Sequence, residues 1–266
     1  MKIRAIALNT FSGLVRNKII ILFCAGCICI LLLMLTSLLG MRAMRGKQNA
    51  EMMQAMVLPM IGTMMTFISG FGSLLAAWSA ADAVASEMRA GTVLAVLARP
   101  VRRWEFLLGK FLGVQLLMFV FVLIMLGLNY LLAWIGGATI STSPVVLIVY
   151  PMVRYMVYSA LGTLLVTVMH PIIAFCIVLV VMIGAGLVAP GNQTTFLPDW
   201  LKTGLFYLLP SSNLLSETRF LTITRATLRA ATLGDHVTAL VYGLNYALVC
   251  FVLAAWIFHS RSLSRD

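Results

Sequence analysis

The sequence predicts an all-α integral membrane protein with six transmembrane helices, preceded by an N-terminal interfacial elbow helix. The chain of 266 residues is 62% hydrophobic and 10% charged, whereas soluble domains carry about 25% charged residues. Its mean hydropathy is +1.03. Apolar stretches long enough to cross a bilayer recur along the chain, and charged residues gather between two of them, in residues 85–113. The composition therefore places the chain in a lipid bilayer.

The net charge of +11 does not indicate a nucleic-acid partner. A nucleic-acid-binding chain would be expected to show a basic amphipathic arm, zinc-ligand spacing or an aromatic RNA motif, and we find none in the sequence. The excess of positive charge is explained instead by the enrichment of Lys and Arg in the cytoplasmic loops of membrane proteins. The five cysteines all fall in apolar stretches, so we interpret them as packing or lipid-facing residues.

Residues 1–18 predict a helix that lies in the cytoplasmic interface as an elbow before the first span. On a helical wheel Lys2 and Asn9 fall on the polar side, and Ile6 and Phe11 fall on the apolar side. An ordinary basic leader is the alternative. No small-residue cleavage site follows, so we expect the segment to remain attached as an uncleaved anchor.

Residues 19–266 predict a single six-helix transmembrane domain. A proline in the first turn of the second span, Pro59, should cost little there, because a first-turn N–H has no intrahelical partner. Met169-His170-Pro171 predicts a tight turn between the fourth and fifth spans, and a mere kink would reduce the count to five. Residues 192–236 predict an outer amphipathic segment, either interfacial or a re-entrant hairpin. The predicted spans are 19–40, 57–81, 107–135, 145–168, 172–188 and 237–258.

The distribution of Lys and Arg predicts that both termini are cytoplasmic. Four of these residues lie at the N-terminus, five in residues 85–113 and two at the C-terminus, all on one side of a six-span topology. The loops on the opposite side hold seven, and four of those belong to a longer segment that carries less topological weight.

The loop at residues 82–106 carries the most specific pattern in the chain. A solvated basic loop is the simpler interpretation of its charge. However, the order of its residues resembles the cytoplasmic loop of ABC-2 type permeases. The order is a Glu, then Gly-Thr, a Leu-containing turn, Pro-x-x-Arg and Gly-Lys. The residues that match or flank this pattern, and that the resemblance assigns to ATPase coupling, are Glu87, Gly91, Thr92, Leu94, Leu97, Pro100, Arg103, Gly109 and Lys110.

The resemblance implies a permease subunit of an ATP-driven exporter in the cell (inner) membrane of a bacterium or archaeon. A cytoplasmic coupling helix between spans 2 and 3, residues 93–98, would sit in a groove of a separate ABC ATPase. A second permease subunit, identical or related, would complete the dimer along which substrate passes outward. The chain has no phosphate-binding loop of the required spacing, so ATP and Mg belong on the partner and no cofactor is expected on this chain. Ala95 and Ala98 depart from the bulkier or polar residues often found in the family, which leaves the affinity for the ATPase open.

An intramembrane enzyme and a copper-handling component are the two alternatives to a simple exporter. An intramembrane enzyme would need a motif such as Gly-x-Ser-x-Gly or His-Glu-x-x-His, which the chain lacks, so we expect no enzyme. A copper-handling component is the other alternative, because one branch of ABC-2 permeases serves multicopper-enzyme maturation and thioethers are soft ligands for Cu(I). Packing is the favoured interpretation of the weak metal candidates, which are four residues apart: Met52, Met56, Met60 and Met64.

Arg154 is the ionisable residue that falls well inside a predicted span. Placing arginine at this depth costs about 2.5–3.5 kcal/mol on insertion scales. Its side chain either snorkels toward the outer interface or makes a substrate or gating contact at the dimer interface, and the sequence leaves both interpretations open.

Overall fold

A computed structural model describes residues 2–43, 50–90, 103–136, 143–187 and 233–260, together with 198, 200, 204–205, 209–211 and 214–215. All regular structure in these residues is helical, which confirms the predicted helical class. The helices are α1 (Lys2–Val15), α2 (Lys18–Ala43), α3 (Ala50–Ala90), α4 (Arg103–Gly136), α5 (Pro144–Val166), α6 (Pro171–Leu187) and α7 (Leu233–Ser260).

Among the described residues, five helices are long and apolar enough to cross a membrane. These are α2, α3, α4, α5 and α7. The predicted fifth span corresponds to α6, which has 17 residues and a length of about 26 Å at the usual helical rise. It is therefore shorter than the ~30 Å hydrocarbon core.

Helix α3 is longer than predicted at both ends. It begins at Ala50, so the prediction that Pro59 lies in the first turn was wrong. Residues 50–56 are all Ala, Glu, Met or Gln, which are strong helix formers, and they extend the helix before the proline. At the other end the helix continues to Ala90, so residues 82–90 of the predicted loop are helical. The 93–98 coupling helix lies outside the described residues.

Helix α5 is the centre of the bundle and contacts α3, α4, α6 and α7. Small residues let α3 and α5 approach closely. A Cβ added at Gly162 would lie 2.9 Å from the carbonyl oxygen of Ala77, and one at Gly72 would overlap the Tyr155 ring. Backbone contact of this kind fixes the relative position of the two helices.

The chain reverses direction between α5 and α6. Tyr158 and Val178 pack in one buried cluster with Ala77, although a continuous helix would hold residues 20 positions apart at about 30 Å. Val166 and Ala174 similarly share a buried cluster closer to the turn. The predicted break at Met169-His170-Pro171 is thus a turn between two antiparallel helices and not a kink.

The two ends of the bundle can be distinguished by their connections. We term the end at which α3 finishes and α4 begins the basal end; α1, the α5–α6 turn and the end of α7 lie there too. The opposite end is the distal end. From the distal side, Leu215 reaches a position beside Val153 and Gly243. Val153 is nine residues after Pro144, the first residue of α5, so Leu215 lies about 14 Å along that helix from its distal end.

Candidate functional site at the basal end

The structure describes four of the nine predicted coupling residues, and all four lie at the basal end. They are Glu87 on the last turns of α3, and Arg103, Gly109 and Lys110 on the first turns of α4. The other five lie outside the described residues: Gly91, Thr92, Leu94, Leu97 and Pro100. The described four flank the predicted loop on both sides.

Glu87 and Lys110 form an ion pair between α3 and α4. The Lys110 ammonium contacts Oε1 of Glu87, and the two side chains are 7% and 21% exposed, respectively. Lys110 also lies over the Phe106 ring, 5.7 Å from its centroid, a geometry that favours a cation. The pair holds together the two helix ends from which the predicted loop emerges, so a displacement of the loop would act on both helices.

Arg103 joins the start of α4 to the end of α7. Its Nη1 donates to the carbonyl oxygens of His259, at 3.1 Å, and of Phe258, at 3.4 Å. Carbonyls in the last turn of a helix have no intrahelical donor, and a cation there also interacts favourably with the helix dipole. The rings of Phe106 and Phe258 stack beside this contact, with centroids 6.2 Å apart.

Helix α1 packs on α4 at two glycines of the basal end. A Cβ at Gly109 would lie 2.7 Å from Cγ2 of Ile6, and one at Gly113 would lie 2.7 Å from the carbonyl oxygen of Ala7. Gly109 and Gly113 are spaced as a small-xxx-small contact surface, and the partner of this surface is α1.

Asn17 connects the α1–α2 elbow to α3. Its Oδ1 accepts a hydrogen bond from the Ile19 N–H at 3.0 Å, which caps the start of α2. Its Nδ2 donates to Oδ2 of Asp82 at 2.7 Å. Together with the preceding contacts, this bond brings α1, α2, α3, α4 and α7 into one connected polar and aromatic layer at the basal end.

Comparison with protein families gives a match over nearly the whole chain. The sequence model described as "ABC-2 family transporter protein" matches residues 4–263. The chain belongs to the ABC-2 family of transporter proteins. Comparison with curated proteins gave no match. The resemblance drawn from the loop is therefore confirmed, and the basal layer belongs to an ABC-2 type permease.

Sequence reasoning about the ABC-2 loop missed several partners of its residues. Phe106, Phe258 and the last carbonyls of α7 give no local signal, because an aromatic residue in an apolar helix is ordinary. Asn17 could have been found, since Asn directly before a long apolar helix is typical of an N-cap.

Arg154 of the permease points into the bundle. Its Nη1 donates to the Ser69 hydroxyl on α3 at 3.1 Å, and its Nε is buried. Ser69 is ten residues after Pro59 and is itself 1% exposed, so the contact is far from either end of α3. This geometry does not fit simple snorkelling toward an interface.

The methionines of α3 are only partly described. Met64 is 2% exposed and packs in the main buried cluster, with Met60 packed against it. The side chains of Met52 and Met56 lie outside the described residues. Core packing accounts for Met64, as expected for a flexible apolar side chain. Within the described part of the chain, no group of three or more His, Cys, Asp or Glu is arranged to hold a metal ion.

Arg103→Ala should lower the melting temperature of the purified permease in lipid nanodiscs. Charge-assisted hydrogen bonds contribute about 1.5–3 kcal/mol, which corresponds to a decrease of about 3–8 °C for a chain of this size. Arg4→Ala removes an exposed cation from α1 and should leave the melting temperature within about 1 °C, since such surface changes fall within ±0.5 kcal/mol. Equal melting temperatures for the two variants would show that Arg103 does not stabilise the α4–α7 contact.

Proposed function

We propose that this chain is the permease subunit of an ATP-driven ABC-2 type exporter, which moves a substrate outward with energy from a separate cytoplasmic ATPase. The observation that carries the proposal is the family match over residues 4–263. The basal layer supports it, because the contacts of Glu87, Arg103 and Lys110 connect both ends of the predicted coupling loop to the rest of the bundle.

The proposed role of the loop is to transmit force and not to perform chemistry. An ATPase that moves residues 91–102 would displace the end of α3 and the start of α4 together, because the Glu87–Lys110 pair joins them. Arg103 would pass the same displacement to α7. Gly109 and Gly113 would pass it to α1, which is in backbone contact with α4. Rigid helices linked by discrete contacts can carry such a two-state motion over a long distance.

The proposed topology has six crossings, with both termini in the cytoplasm of a bacterium or archaeon. The reversal at the α5–α6 turn supports six crossings, because α6 then returns through the bundle before α7. A helix as short as α6 can be accommodated by local thinning of the bilayer or by the residues that flank it. A second permease chain, identical or related, would complete the exporter.

The proposal can be tested by cross-linking from the predicted coupling helix. Single cysteines at Leu94 or Leu97, in a cysteine-free background, should capture a polypeptide with a phosphate-binding loop when the permease is purified from its native membranes. Cysteine in place of the exposed Ser143 at the distal end is the matched control and should not capture it. Equal capture from both ends, or no ATPase captured at all, would contradict the proposed partner and its side.

A further inference from the structure

The charge of Arg154 has no counter-charge among the residues that the structure describes. Arg154 is ten residues after Pro144, the first residue of α5, or about 15 Å along the helix. Its single described hydrogen bond goes from Nη1 to the Ser69 hydroxyl, and its Nε is buried without a hydrogen-bond acceptor in the described part of the chain. A charge in such a place is costly unless it is paired.

Tyr158 supplies a second buried donor one helical turn further along α5. The residue is 1% exposed, and its hydroxyl likewise has no hydrogen-bond partner within the described ranges. Arg154 and Tyr158 are four residues apart on α5, so their side chains lie on the same face of the helix. Two unpaired donors on adjacent turns of one helix, next to the Ser69 hydroxyl on another, match the hydrogen-bonding pattern of an oxyanion.

Around Tyr158 the packing is apolar, in a buried cluster with Ala77 and Val178. On the distal side, Leu215 packs beside Val153, the residue preceding Arg154, and is 1% exposed. The Ser211 N–H donates to the Tyr242 hydroxyl of α7 at 3.0 Å, which holds the same segment against the bundle. Exclusion of water strengthens an ion pair and makes an unpaired charge more costly.

We propose that Arg154 and Tyr158, beside Ser69, bind one oxyanion group, such as a carboxylate, carried by the solute that the permease transports. This inference rests on the proposed function. The Nε edge of a guanidinium presents two parallel N–H groups to a carboxylate or phosphate, and the Tyr158 hydroxyl adds a third donor. Because apolar side chains pack around Tyr158, the solute should be an amphiphilic anion whose charged group binds here and whose body contacts hydrocarbon side chains.

A carboxylate side chain of the protein itself could occupy the same site in place of a solute. Glu217 follows Leu215 by two residues in the sequence, and Leu215 is beside Val153. The test must therefore separate a bound solute from Glu217.

Hexanoate is the probe, and the uncharged amide hexanamide is its control. Each is added to the purified full-length permease in nanodiscs. A ligand that binds the folded state raises the melting temperature in a saturable way. We expect hexanoate to do so and hexanamide not to, and Arg154→Gln should abolish the difference. Tyr158→Phe should raise the half-maximal hexanoate concentration about fivefold, because it removes one hydrogen bond that contributes about 1 kcal/mol to binding. Identical shifts in wild type and Arg154→Gln would overturn the site.

Glu217→Gln decides the source of the anion. If hexanoate raises the melting temperature of Glu217→Gln but not that of the wild type, the bound carboxylate is that of Glu217. This result would overturn the proposal that the site binds the transported solute. No effect in either protein would overturn the site altogether. If Arg154→Gln does not fold, Arg154→Lys replaces it. Lysine keeps the charge without the planar fork, so we expect at least about tenfold weaker binding of hexanoate. Unchanged binding would overturn the assignment of Arg154 to the site. The assay contains no ATPase, so its outcome is independent of the cross-linking test of the proposed function.

Discussion

Glu87→Ala should lower the free energy of unfolding by about 3–5 kcal/mol, because it leaves a buried ammonium without its counter-charge. Lys110 is 6% exposed as a residue, and its ammonium is paired with the Glu87 carboxylate. Lys110→Met should also destabilise the protein, because it removes the counter-charge of Glu87, whose Oε2 is buried. Chemical denaturation of the detergent-solubilised protein measures both losses. The exposed Lys18→Met, at the start of α2, is the matched control and should change stability little.

A double variant separates the stability of this ion pair from its proposed role in coupling. Replacement of a buried pair by neutral residues of similar volume is often close to neutral for stability, so Glu87→Gln with Lys110→Met should regain most of the loss. If the pair also transmits force, transport-stimulated ATP hydrolysis by the assembled exporter should still fall severalfold in this stable double variant. Full transport in the double variant would limit the pair to a structural role.

Gly113→Leu should destabilise the protein by about 3 kcal/mol, at the upper end of the cost of overpacking. The new Cβ would lie 2.7 Å from the backbone carbonyl oxygen of Ala7, and backbone within a helix cannot move aside without shifting the whole of α1. Gly109→Leu should also destabilise the protein, because its Cβ would lie 2.8 Å from Cβ of Ile6, an atom that no rotamer change moves. Gly127→Leu, on the same helix with nothing within 4 Å, should be neutral or slightly stabilising.

Amide hydrogen exchange of α1 provides the specific measurement for Gly113. Displacement of α1 from α4 should raise exchange throughout residues 3–15 in Gly113→Leu, while exchange in α5 stays slow. Protection of α1 equal to that in Gly127→Leu would show that the α1–α4 contact tolerates the larger side chain, and that α1 is not held at the basal end by close backbone approach.

The positions of the helices were largely predictable because each depends on a local run of apolar residues. The predicted spans all fall within observed helices or within two residues of their ends. The errors concern local continuation: α3 passes through Pro59 and extends to Ala90, since the residues on either side of the predicted limits favour a helix and no breaker intervenes before Gly91. The α5–α6 turn was predicted correctly because proline and the preceding residue interrupt a helix locally.

The candidate site was predictable as a set of residues but not as a set of contacts. The order of Glu87, Gly91-Thr92, Leu97, Pro100, Arg103 and Gly109-Lys110 in the chain indicated the family. Nothing local to Glu87 shows that Lys110 is its partner, or that Arg103 reaches the end of α7.

The sequence by itself determined the membrane class, the approximate spans, the family and the residues that flank the loop. Only the tertiary structure decided which helix faces meet, as in the Asn17–Asp82 bond across 65 residues and the Arg103–His259 bond across 156. The physical reason is that lipid and protein interior are both apolar, so the spans are apolar on all sides and their sequence does not mark the buried face. Close packing at Gly113 and Gly162 selects the neighbours instead. The same packing turns Arg154 inward toward Ser69, a direction that the position of an arginine in a span leaves open.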